Sequence, residues 1–290
     1  AAKGYYDGVD AFIAYHPWPQ NSVAWETHFG AYWSAVYTFE CLHPEEWIDR
    51  TLMPPGSGSH AVARAPGALD ALCLMYTMTK YTKEAMFPHT GTWTLNEFVL
   101  AAGDATADNL APKFSQIQYA WRSSDLKIQE QIARVIENNA RQAAATTGCR
   151  ASIQWVTKTR VGLPNLALAD LTYRNLAAIG APEWGEEALA FGRQLQAGLG
   201  WPQTDFPFLP QHRTLTSPQE FEAQQRAILP PWQLHLSADD YVEYCWHAPT
   251  VRLFTARPVL ASADPRHAAP AWTYNALGGL AAAVDPGLFA

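Results

Sequence analysis

Positive charge is scarce in this 290-residue sequence: 20 Lys and Arg stand against 27 Asp and Glu, for a net charge of −7, and no basic run occurs anywhere. A protein that collects phosphates needs a concentrated basic footprint, so nucleic acid is excluded as a natural partner. Long apolar runs are lacking too. The longest mostly apolar stretches, such as residues 68–78, contain Asp70 and fall short of the roughly 20 residues a membrane span requires, so no membrane partner is expected. Cysteine is limited to Cys41, Cys73, Cys149 and Cys245, with no Cys-x-x-Cys pair. That spacing argues against a zinc ribbon or a disulfide scaffold and leads us to expect four buried, reduced thiols. No charged segment followed by an apolar one precedes residue 30, which favours a cytoplasmic protein, although the sequence opens on Ala1 rather than Met. A Gly-x-Ser-x-Gly elbow is absent, which gives a serine nucleophile little support. What the chain does have is apolar mass: 48% hydrophobic residues, with 12 each of Trp, Tyr and Phe. This is enough for two packed cores.

Periodicity divides the chain. Residues 5–15 read as a turn and a short apolar strand that stops at His16-Pro17, where proline ends regular pairing. From Trp33, Ala35, Tyr37, Phe39 and Cys41 alternate with smaller or polar neighbours as in a half-buried strand. Residues 43–59 hold too many Pro and Gly for a regular element and read as a loop. Leu69, Leu72, Cys73, Tyr76 and Lys80 then mark a helix that closes before Pro88. Strands follow over 95–100 and 114–121, a helix opens at Asp125 and ends at Gly148, and Ile153, Trp155 and Thr157 alternate in a last strand. Residues 31–162 thus spell β-α-β-β-α-β, a split βαβ sandwich with helices on one sheet face. Beyond Pro164 we expect helices over 166–179 and 182–197, an irregular Pro-rich stretch to Pro231, a strand over 251–256 and a final helix over 272–283. The fold class is α/β, with the βαββαβ unit (31–162) inserted into an outer domain formed by residues 1–30 and 163–290.

Four strings place polar groups at the exits of apolar or Gly-rich stretches: Asp10-Ala-Phe-Ile-Ala-Tyr-His16-Pro17, Ser57-Gly-Ser-His60-Ala61, Asn109-Leu-Ala-Pro112 and Asp264-Pro-Arg-His267. Taken singly, each has an ordinary explanation. His16 could satisfy a backbone carbonyl at a strand edge, His60 could sit at a helix cap, and Asn109 could form an Asx turn. His267 in its Pro-flanked loop is undistinguished.

Their order is more specific. A strand ending in His-Pro, an inserted βαββαβ unit with Ser59-His60-Ala61 and Leu69-Asp70-Ala71 at its first helix, Thr106-Ala-Asp-Asn109-Leu-Ala-Pro112 between its middle strands, and Asp239-Asp240-Tyr-Val-Glu-Tyr-Cys-Trp246 further on together resemble the zinc-dependent amidohydrolases of the aminoacylase and aminobenzoyl-glutamate utilisation type. The likeness is strongest to their hydrolase B-subunit branch and runs along essentially the whole chain.

The resemblance implies an α/β metallohydrolase catalytic domain, incomplete here, with an inserted lid and dimerisation domain. It also implies two divalent metal ions, zinc or manganese, with His16 ligating one and His267 the other. His60 would stabilise the oxyanion formed as water attacks an amide, often in the partner subunit's site, and Asn109 would bind the substrate. The substrate would be an N-acyl or N-aroyl amino acid such as aminobenzoyl-glutamate, and the assembly a homodimer through the lid. The family's Cys-Gly-His-Asp and Pro-Ala-Glu-Glu strings, which carry further ligands and the general base, do not occur in the sequence. Because two imidazoles cannot hold a catalytic zinc, activity is expected only when an N-terminal segment or companion chain supplies the rest. The alternative is a catalytically inactive binding or dimerising module of the same fold. Residues 43–56 look like an insertion, and the usual Gly-Thr-Pro setting of the late His is replaced by Asp264-Pro-Arg-His267, which makes His247 its rival.

Overall fold

The computed structural model describes residues 3–26, 29–44, 51, 64–90, 92–103, 107, 109–229 and 236–267. In chain order the elements are β1 (Phe12–Trp18), β2 (Ser22–Val23), β3 (Phe29–Glu40), α1 (Ala68–Met86), β4 (Trp93–Ala101), β5 (Phe114–Ser123), α2 (Leu126–Thr147), β6 (Arg150–Lys158), α3 (Leu166–Ile179), α4 (Glu186–Gly198), α5 (Pro218–Ile228), β7 (Leu236–Ala238) and β8 (Thr250–Ala256). They fall into two compact units. One comprises residues 1–28, 163–232 and 244–290; the other comprises 29–162 and 233–243. The segment expected to form a final helix, 272–283, and the string around His60 lie outside the described residues.

The inserted unit runs β-α-β-β-α-β. Its strands lie in the order β4-β5-β3-β6, every pair antiparallel, and β7 adds to β3 in parallel. The alternation read from the sequence holds on β5, where Ile117, Tyr119 and Trp121 are buried. These side chains meet Trp33, Tyr37 and Phe39 of β3 and the inner faces of α1 and α2 in one core. Helix α2 starts where the sequence places it. The Asp125 carboxylate accepts the Lys127 N–H at 2.6 Å, and Gly148 closes the helix in the left-handed conformation at φ 66°. Ile132, Val135, Ile136 and Ala140 form its buried stripe.

For α1 the extent is as expected but the face is not. Its buried residues are Ala68, Ala71, Leu72, Met75 and Thr79, whereas Tyr76 and Cys73 are exposed. Small residues at 68 and 71 let this side of the helix approach the sheet, which turns Cys73 outward. The expectation of four buried thiols therefore fails: only Cys41 is buried, and Cys149 and Cys245 are half-buried. The start of α1 is held by Asp70, which accepts the Gly67 N–H at 2.8 Å and pairs with Arg64. The guanidinium lowers the Asp70 carboxyl below its ordinary range.

In the other unit β8 is central, flanked by β1 in parallel and β2 antiparallel. Strand β1 does not stop at His16-Pro17 but stays in register with β8 through Trp18. Among the described residues β1 lies at the edge of this sheet, where a missing N–H need not break a ladder. Helix α3 matches its expected bounds, capped by the Asn165 side chain, which accepts the Leu168 N–H at 2.9 Å. Helix α4 begins at Glu186 rather than near Pro182. Packing of the Trp184 ring on Phe208 and His212, at centroid distances of 4.9 and 5.4 Å, holds 182–185 out of the helix. The stretch expected to be irregular contains α5 and a helical turn at Pro210–Arg213. The start signal of α5 is local: Ser217 accepts the Glu220 N–H at 3.2 Å, with Pro218 in the first turn. Among the described residues no helix is long and apolar enough to cross a membrane.

Candidate active site

His16 lies on β1 opposite Phe254 of β8, half-buried. Its Nδ1 is 2.7 Å from the Pro17 carbonyl oxygen, and its ring meets Trp18 edge-on at 6.1 Å. His267 follows β8 in a tight turn, its own N–H donating to the Asp264 carbonyl at 3.0 Å. Its ring stacks on Trp201 at 5.1 Å with an interplanar angle of 8°, and its Nδ1 lies 2.8 Å from the Ser262 hydroxyl. The Asp264 carboxylate, 3.9 Å from His267 Nε2, is paired with Arg266, which holds it well below the usual carboxylate range. His247 is exposed and lines a 370 Å³ cavity with Asn165, Cys245 and Trp246.

Asn109 belongs to the inserted unit, in the turn between β4 and β5. The chain beyond it runs to Pro112, whose carbonyl accepts the Ala68 N–H at 2.7 Å and so caps α1. Glycine is required at the meeting point, because a Cβ on Gly67 would stand 2.6 Å from that same oxygen. The Asn109 loop is thereby tied to the first turn of α1, the helix that follows the His60 string. His60 itself lies outside the described residues.

Among the described residues no group of three or more His, Cys, Asp and Glu side chains converges as a metal site. A catalytic zinc usually takes three protein ligands. The described residues therefore do not fit a complete metal centre by themselves; they offer at most single imidazoles toward one.

The sequence is 26% identical over 201 residues to the B-subunit of p-aminobenzoyl-glutamate hydrolase from Escherichia coli, a match covering 68% of this chain and 37% of that protein. Over two thirds of its length the chain is thus similar to an amidohydrolase subunit. It is also 28% identical over 148 residues to mouse Xaa-Arg dipeptidase, covering 50% of this chain and 33% of the dipeptidase. The matches thus span only about a third of the length of these curated relatives. No protein-family model matches the sequence. Solved structures similar to this chain include the aminobenzoyl-glutamate utilization protein from Klebsiella pneumoniae, at 17% identity and a TM-score of 0.47, covering 88% of this chain and 52% of that one. A hydantoinase/carbamoylase family amidase from Burkholderia ambifaria is similar at 12% identity and a TM-score of 0.43, covering 96% and 54%.

Two polar residues outside the four strings organise the unit containing His16 and His267. Asn21 is fully buried. Its amide donates to the carbonyls of His212 and Thr214, each at 3.0 Å, and its side-chain oxygen accepts the Ala256 N–H at 2.7 Å. It thereby fastens the 210–214 turn to the end of β8. His212 is fully buried against Trp184 and Phe208, and among the described residues neither ring nitrogen has a hydrogen-bond partner. Burial pushes the His212 imidazole down to about 4. No local pattern marks either residue, and their partners lie far along the chain, so only the folded arrangement reveals them.

Proposed function

We infer that this chain is part of a metal-dependent amidohydrolase that cleaves the amide bond of an N-acyl or N-aroyl amino acid of the aminobenzoyl-glutamate kind. The similarity to the B-subunit of p-aminobenzoyl-glutamate hydrolase, extending over 68% of the chain, carries this reading. In it the unit holding β1 and β8 belongs to the catalytic domain and contributes His16 and His267 toward a pair of zinc or manganese ions, with the remaining ligands supplied from outside the described residues. Bound divalent cations would supply Lewis-acid chemistry and an activated water. The βαββαβ unit serves as lid and dimerisation domain, bringing Asn109 to the substrate's carboxylate or carbonyl and His60 to the developing oxyanion. A donor fixed in such a position is a strong contributor to acyl-transfer catalysis. A cytoplasmic setting belongs to the same reading.

The test is release of glutamate from aminobenzoyl-glutamate, beside a panel of other N-acyl amino acids, with the chain assayed together with a polypeptide that supplies the remaining metal ligands, loaded with zinc or manganese and measured for metal content. Turnover together with a stoichiometric metal is the expected result. A second reading, a binding or assembly module without turnover, is favoured by the lack of a three-ligand group among the described residues. It predicts neither metal uptake nor product.

Both readings place the dimer contact on the inserted unit, whose edge strands expose Phe98, Val99 and Leu100 on β4 and Ile153, Trp155 and Val156 on β6. Val156→Lys is expected to convert a dimer to a monomer in light scattering, since edge charges block strand pairing. A variant that keeps the parent's mass would remove β6 from the interface.

A further inference from the structure

We propose that a cleft beside the start of α4 binds a free, zwitterionic amino acid with an apolar side chain, at a site separate from the residues assigned to hydrolysis. The cleft encloses about 480 Å³, within the range of small-molecule sites. Its walls include Glu183, Trp184, Leu189, Asp205, Phe206 and Arg213, all in the unit that contains α3 and α4.

The lining sorts by chemistry into three parts. Trp184 and Phe206 meet edge-to-face at 6.0 Å and, with Leu189, provide an apolar floor. Arg213 lies with its guanidinium 5.0 Å from the centre of the Phe206 ring, and among the described residues it makes no ion pair. An aromatic bed holds a guanidinium flat while leaving its N–H fork free for a carboxylate. Glu183 and Asp205 line the same cleft and likewise make no ion pair among the described residues. Two carboxylates would repel a simple organic acid, and the guanidinium would repel a simple amine. A molecule carrying both an ammonium and a carboxylate finds a counter-charge for each of its groups. Binding in this cleft requires no hydrolytic step, so a protein without turnover would leave it standing.

Calorimetric titration of the full chain with leucine and with phenylalanine tests it. Binding is expected at a Kd of about 1 mM or tighter, and weaker by about tenfold or more for 4-methylpentanoate, which lacks the ammonium, and for 3-methylbutylamine, which lacks the carboxylate. Arg213→Gln and the pair Glu183→Gln with Asp205→Asn are each expected to lose about tenfold. All three residues are exposed, so the variants should fold, and circular dichroism would verify it. No heat up to about 10 mM of either amino acid, binding of either truncated analogue as tight as that of leucine, or unchanged affinity in the variants would overturn the proposal.

Discussion

Acidifying the protein from pH 6.5 to 4 is expected to cost the unit containing His212 about 3 kcal/mol of stability. In the unfolded chain this imidazole takes up a proton near its ordinary pKa of 6.5, whereas burial against Trp184 and Phe208 lowers the folded value to about 4. The unfolded state therefore binds more protons throughout that window. Stability from keeping His212 neutral is fully present above pH 6.5, is lost as pH falls toward 4, and changes no further below that. The loss arises because a proton would place a charge among aromatic rings with no acceptor for either N–H among the described residues. Hydrogen exchange of the segments spanning α4 and the 210–214 turn, measured across this pH range, reads the effect locally. His212→Leu is expected to flatten the pH dependence by about the same 3 kcal/mol while changing stability at pH 7.5 by less than about 2 kcal/mol, as volume-tolerant core substitutions do. An unaltered pH slope in the variant would show that other groups carry the acid sensitivity.

Gly30→Ala is expected to destabilise the inserted unit by about 3 kcal/mol. A Cβ at this position on β3 would stand 2.1 Å from the Ser123 carbonyl oxygen and 2.9 Å from the Ser124 Cα, both backbone atoms. No flexible side-chain end can yield, so β3 and β5 would have to separate where they begin their long pairing. Urea unfolding followed by the fluorescence of the Trp33, Trp121 and Trp155 cluster measures the change. Gly198→Ala is the control. It lies in α4 with nothing within 4 Å of the added carbon, and should be neutral or stabilising by about 0.5 kcal/mol. If Gly30→Ala behaved like the control, the close approach of the two strands would be wrong.

The amino-acid sequence by itself determined the βαββαβ unit, because its instructions are local. Alternation on β5, the stripe on α2, the Asp125 cap and the Gly148 stop each act within a few residues. Helix α3 with its Asn165 cap is legible for the same reason, and Ser217-Pro218 announces the start of α5 inside a stretch whose prolines otherwise suggest irregular chain. Tertiary structure decided everything that depends on which surfaces meet. It chose the Ala68, Ala71 and Met75 face of α1 over the one carrying Cys73, carried β1 past Pro17 because that strand became an edge, and began α4 late because Trp184 packs on His212. Candidate site residues divide along the same line. The motifs around His16, Asn109 and His267 can be read by eye, but whether imidazoles converge is a property of distant chain segments. Among the described residues they join no group of metal ligands. Local physics writes elements into a sequence; the pairing of remote side chains is settled only when packing brings them to one place.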